Sequence, residues 1–119
     1  MRRFKKIKAW QKAHNVTLEV YTATAAFPPH EMYGLTTQMR RSAASVGANI
    51  AEGCGRKSKG ELGRFMLIAM GSASELEYHL LLAKDLNFLN RERHQKLEDD
   101  VIEVKRMLSS YIQQLKADG

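Results

Sequence analysis

Apolar residues recur at steps of three and four in four separate stretches, the spacing of helices that each bury one face. No window alternates apolar and polar positions over strand length. The first stretch runs from about Phe4 to Ala26, with Ile7, Trp10, Ala13, Val16, Val20 and Tyr21 on one stripe. Phe27-Pro28-Pro29 should end it, because proline lacks an N–H and disfavours helix in the residue before it. The second runs from about Glu31 to Glu52 and carries Met32, Leu35, Met39, Ala43, Val46 and Ile50. Glu31 suits the positive end of that helix dipole. Gly53 and Gly55 follow, where a left-handed cap is expected. The third opens on Ser58-Lys59-Gly60-Glu61, a capping box in which serine and glutamate each satisfy a free backbone N–H. Its stripe of Leu62, Phe65, Ala69, Ala73, Leu76, Leu80 and Ala83 continues to about Leu86. Asn90 is the expected N-cap of the fourth. There Leu97, Val101, Val104, Leu108, Tyr111 and Leu115 form a heptad-like seam.

Four rods of about twenty residues are each about 30 Å long. Short connections favour antiparallel neighbours. The pattern therefore predicts an all-α fold, an antiparallel up-down-up-down four-helix bundle forming one domain over residues 1–119. Some apolar residues do not fit one stripe per helix: Leu67, Ile68, Met70, Leu81 and Leu82 on the third, Ile102 and Met107 on the fourth. Scattered exposure is ordinary in small proteins. Burial against another subunit is the reading the pattern favours.

Charge changes the picture more than composition does. The net charge is +6, but residues 1–64 hold twelve Lys or Arg against four acids, a net of +8. Residues 65–90 carry −2 and residues 91–119 cancel. Such an excess attracts polyanions by counterion release. Equally, lysines simply keep a small protein in solution. The single cysteine, Cys54, rules out an internal disulfide and a thiolate zinc site of the usual kind, and fits a reducing compartment. No signal peptide or membrane-spanning run is visible, which predicts a cytoplasmic protein without a membrane partner.

The glycine-rich stretch NIAEGCGRKSKGE, residues 49–61, resembles a phosphate loop only superficially. Counted from Gly55, the required lysine position holds Glu61, and no strand precedes it. Arg56, Lys57 and Lys59 near a helix N-terminus could still meet phosphate, as could Arg2, Arg3, Lys5, Lys6, Lys8 and Lys12 at the front of the chain. Arg41, Asn49, Glu52 and Arg56 are expected to form a structural network rather than a catalytic one. Gly47 inside a helix implies a packing reason. Trp10 is expected in the core. The four histidines lack zinc-helix spacing, and no serine has a local base pattern. The residues predict no enzyme, no metal and no cofactor. A small enzyme using Arg41, Glu52 and Arg56 is the remote alternative.

Several motifs carry a resemblance. They are the F-P-x-x-E-x-x-G-L opening (Phe27, Pro28, Glu31, Gly34, Leu35), the Q-x-R-R step (Gln38, Arg40, Arg41), NIAEG (Asn49 to Gly53) with Arg56, and G-S-x-x-E-L (Gly71, Ser72, Glu75, Leu76). Through them residues 27–78 resemble the four-helix-bundle family encoded in intervening sequences of bacterial large-subunit rRNA genes. They also resemble the related accessory variability proteins of diversity-generating retroelements. The resemblance implies a homo-oligomer, a ring or barrel of five subunits. It implies a basic surface that binds RNA or DNA, and a nucleic-acid enzyme such as a reverse transcriptase as partner. The two function classes are thus a nucleic-acid-binding bundle and a protein-interaction scaffold.

Overall fold

The computed structural model describes residues 2–118; the terminal residues of the expected 1–119 domain lie outside the described residues. Four α-helices pack on one another: α1 (Lys8–Thr24), α2 (Thr37–Cys54), α3 (Lys59–Asp85) and α4 (Arg91–Asp118). Contacts join α1 to α2, α2 to α3, α3 to α4 and α4 back to α1. Gly47 lies by Trp10, and Arg40 bonds Thr24. Gly53 lies by Leu62 and Phe65, and Ser42 meets His79. Lys59 reaches Asp118 and Glu77 meets Lys105. Lys12 pairs with Asp100 and Glu19 with Lys96. Adjacent helices therefore run antiparallel in a body 46 × 23 × 19 Å.

One core fills the middle, with Val20, Met39, Ile50, Leu62, Met66, Leu76, Leu80, Leu97, Val101 and Leu108 buried. Ala13, Ala43 and Ala73 are buried with them, so three helices present small side chains at mid-height. Trp10 is half-buried against this core rather than inside it.

The ends follow local chemistry. Ser58 Oγ accepts from the Glu61 N–H at 3.1 Å, and Asn90 Oδ1 from the Arg93 N–H at 2.7 Å, as expected of N-caps. The return bond from Glu61 is absent among the described residues, so the box is half-formed. Helix α3 closes on Asn87, whose φ is 65°. The Phe88 N–H bonds Ala83 O and the Asn87 N–H bonds Lys84 O, a Schellman closure with asparagine in the left-handed position. Phe88 then packs on Phe27, ring centroids 5.5 Å apart.

Three expectations change. The first helix begins at Lys8, after a separate short turn over Phe4–Lys6. The second begins at Thr37, not Glu31. One tight turn (Pro29–Glu31) and one wide turn (Met32–Thr36) precede it, broken at Gly34 (φ −115°, ψ −113°). Glu31 Oε1 accepts from the Leu35 N–H at 3.2 Å, which caps the restart, and Met32 is left exposed. Gly53 and Gly55 are not left-handed caps: no described glycine has positive φ. Gly53 is instead buried where α2 and α3 touch.

On α3 the residues Leu67, Gly71, Ser74, Tyr78 and Leu81 step by four and three and are all exposed. Leu67 and Tyr78 show 58% and 59% of their surface and Leu81 is exposed beside Tyr78, so apolar side chains face outward on either side of the small Gly71 and Ser74.

Candidate functional site

Two basic clusters about fifty residues apart in sequence meet at one end of the bundle. The Arg2 N–H bonds Cys54 O at 3.2 Å, which straps the N-terminal arm over the end of α2. Lys59 Nζ bonds Asp118 O at 3.3 Å, which brings the start of α3 to the end of α4. Residues 2–8, 52–64 and 114–118 thus share this end. They hold ten cations (Arg2, Arg3, Lys5, Lys6, Lys8, Arg56, Lys57, Lys59, Arg64, Lys116) and three carboxylates (Glu52, Glu61, Asp118), a net of +7. At the opposite end, residues 24–37 and 82–94, Lys84, Arg91 and Arg93 cancel Glu31, Asp85 and Glu92.

The predicted residues are not equivalent. Arg3, Lys5, Lys6, Lys8 and Lys57 are exposed and make no ion pair among the described residues. Arg2 is half-buried beside Cys54 and Tyr111, more anchor than free cation. Lys12 lies away from this end, part-way down α1, in an ion pair of 3.1 Å with Asp100 that Lys96 and Glu19 extend. Burial alone would raise the Asp100 carboxyl; the hydrogen bonds from Lys96 and Lys12 outweigh it and hold the group below its ordinary range. The same network raises Lys96, chiefly through its hydrogen bond to Asp100.

The Arg41–Asn49–Glu52–Arg56 network divides. Glu52 and Arg56 pair at 3.0 Å, one turn apart. Asn49 turns back to Ser45, bonding its carbonyl at 2.8 Å and its hydroxyl at 3.0 Å. Arg41 is exposed, without a hydrogen bond or ion pair among the described residues. The structural arginine is its neighbour Arg40, whose Nε donates to Thr24 Oγ1 at 2.9 Å while the guanidinium stacks 4.7 Å from the Tyr21 ring. The sequence marks Arg40 only as one of an arginine pair, because both of its partners lie on another helix.

Also missed was a groove of about 640 Å³ between the N-terminal arm and α4. Ile7, Met107 and Tyr111 form its apolar wall; Lys6, Lys8 and Arg106 stand at its rim, with Glu103 3.4 Å from Arg106. The heptad seam assigns Tyr111 to the core, but the structure leaves it half-buried at the mouth. A second groove, about 430 Å³, lies between the start of α3 and the end of α4, with Leu67, Ile112 and Leu115 below Lys59, Arg64 and Lys116.

Ser42, His79 and Glu75 are brought into line, a constellation invisible in the sequence. Ser42 Oγ lies 3.2 Å from His79 Nδ1, and His79 Nε2 lies 4.0 Å from Glu75 Oε2. Serine–histidine–carboxylate sets can activate a nucleophile. Here the hydroxyl also donates to Met39 O and Ser42 as a whole is 2% exposed, so no substrate reaches it. The set ties α2 to α3. Cys54 is buried as well; burial pushes its thiol up, against a smaller opposing effect of Arg2, so it is no activated thiolate. Among the described residues, no group of three His, Cys, Asp or Glu side chains could hold a metal ion. No helix among them is long and apolar enough to cross a membrane.

The family model described as 23S rRNA-intervening sequence protein matches residues 5–110. Among solved structures, the chain is similar to a protein of unknown function from the S23 ribosomal protein family of Bacteroides thetaiotaomicron VPI-5482. The two are 25% identical with a TM-score of 0.79, over 87% of this chain and 97% of that one. No curated protein matches.

Proposed function

Because the chain belongs to the 23S rRNA-intervening sequence protein family, we propose that it is a non-enzymatic, homo-oligomeric bundle whose basic end binds nucleic acid without sequence specificity. The carrying observation is the meeting of the N-terminal arm and the α2–α3 connection at one end, net +7, while the far end cancels. Unpaired surface cations gain from phosphate by releasing its condensed counterions, whatever the bases. The outward apolar side chains of α3 support assembly, five subunits being the expected number. Five copies would carry about +30, each contributing +6, and strengthen the field accordingly. A single buried free thiol suits the cytoplasm.

The test is a salt titration of RNA binding. Five phosphates neutralised on a single strand give a slope of about −3.5 in log affinity against log salt. Absence of binding at low salt, or binding indifferent to salt, overturns the reading.

One observation favours a second reading, a scaffold for a nucleic-acid enzyme such as a reverse transcriptase. The 430 Å³ groove joins an apolar floor to three cations and so complements an acidic amphipathic segment. A partner retained from nuclease-treated lysate would support the scaffold. One lost on nuclease treatment would return the case to nucleic acid.

A further inference from the structure

Phosphate contacts alone favour a duplex over a single strand, because the denser charge of the duplex releases more counterion per contact, about 0.9 against about 0.7. The basic end, however, is not a uniform cationic surface. Between Lys6 and Lys8 on the arm and Arg106 on α4 lies the groove walled by Ile7, Met107 and Tyr111. Its volume, about 640 Å³, falls in the range of small-molecule sites, about 300–1,000 Å³. The arm that forms one wall is held in register by the Arg2 N–H bond to Cys54 O and by Gln11 Nε2, which donates to Lys5 O at 2.7 Å. An aromatic ring and a thioether at the wall of a cationic groove complement a flat apolar face carried on an anionic backbone. An unpaired base on its sugar-phosphate chain has that chemistry. A duplex does not, because its base faces are stacked inside.

We infer that this groove seats an unstacked base against Tyr111 and Met107, with Lys6, Lys8 and Arg106 on the flanking phosphates, so that the protein prefers single-stranded nucleic acid to duplex. Glu103 does not fit a phosphate. It pairs instead with Arg106 at 3.4 Å, which holds that guanidinium at the rim of the groove. The inference rests on the proposed nucleic-acid binding and deepens it. The alternative occupant, a second copy of the chain, is an outcome of the test.

The experiment measures fluorescence anisotropy of a labelled single-stranded RNA and of its duplex, titrated with the full chain at low salt. Wild type should bind the single strand more tightly. Tyr111→Leu keeps an apolar side chain against the core but removes the ring, and should weaken single-strand binding roughly tenfold while leaving duplex binding unchanged. Tyr111→Phe keeps the ring and should bind as wild type, which separates stacking from any loss of fold. Lys6→Glu with Lys8→Glu should weaken both forms. Equal binding of both forms, or binding indifferent to Tyr111→Leu, overturns the base seat and leaves the polyanion reading standing. If neither nucleic acid binds wild type, both readings are overturned. Sedimentation of Tyr111→Leu at a smaller mass than wild type would assign the groove to a second copy and also overturn the base seat.

Discussion

Replacing Gly53 by alanine adds one methyl group, and two opposing effects decide the result. Alanine is favoured over glycine inside a helix by about 1 kcal/mol. Against that, a Cβ at Gly53 would lie 2.8 Å from Phe65 Cβ and 3.2 Å from Leu62 Cδ1. The nearest atom is fixed to the backbone of α3, so relief requires α3 to move away from α2 along a buried seam. Overpacking of this kind costs typically 1–3 kcal/mol. The expected net is a loss of about 1 kcal/mol, a fall in melting temperature of roughly 3–5 °C for a chain of this size. Two other glycines calibrate the reasoning. At Gly71 nothing within the same chain lies within 4 Å of an added Cβ, so at concentrations where the chain is unassembled Gly71→Ala should gain the helix term alone and melt a few degrees higher. At Gly47 the nearest atom is Trp10 Nε1 at 3.3 Å, on a half-buried ring able to shift, so Gly47→Ala should be close to neutral. Thermal unfolding followed by circular dichroism at one fixed protein concentration provides the ranking, since assembly makes melting concentration-dependent. A Gly53→Ala protein as stable as Gly71→Ala would refute the claim that Gly53 sets the α2–α3 approach. A Gly71→Ala protein that melts lower, and increasingly so at high concentration, would mean that another copy lies against α3 there.

The adjacent arginines should separate cleanly in denaturant unfolding: Arg40→Ala should cost about 1–2 kcal/mol, through its bond to Thr24 and its stacking on Tyr21, and exposed Arg41→Ala within about 0.5 kcal/mol. Stability should fall on both sides of neutrality. The lowered Asp100 carboxyl contributes above its unfolded pKa and is lost as pH falls through its folded one, so Asp100→Asn should flatten the acid limb of a melting-versus-pH curve. The raised Cys54 thiol gives the opposite sign: its contribution is full below the unfolded thiol pKa and lost as pH rises through the folded one. Cys54→Ala should therefore flatten the alkaline limb, and a thiol reagent should modify wild-type Cys54 only as fast as the bundle opens.

The core and the N-caps of α3 and α4 are legible along the chain because their causes are local. Steps of three and four mark a buried face wherever they occur, and Leu62, Leu76, Leu80, Leu97 and Leu108 are all buried. Ser58 and Asn90 cap helices through bonds to residues three positions on. The double proline stops α1 by its own covalent geometry. Even the kink at Gly34 is partly local, since Glu31 caps Leu35, but a continuous apolar stripe from Met32 hides it.

What the tertiary structure decided depends on separations that periodicity does not encode. A glycine next to a helix end looks like a cap until another helix is seen 2.8 Å from its missing Cβ. Arg40 and Arg41 are indistinguishable in sequence; a rotation of about 100° between neighbours on a helix turns one toward Thr24 and Tyr21 and the other to solvent. The sequence by itself determined four amphipathic helices, the N-caps of the third and fourth, and an excess of positive charge in the first half. Only the antiparallel packing brought residues 2–8 to residues 56–64, tied Lys12 to Asp100, and opened Tyr111 into a groove. The physical reason is that a stripe specifies which face is buried, whereas a site needs side chains from several helices at one height, and height is set by how the helices dock.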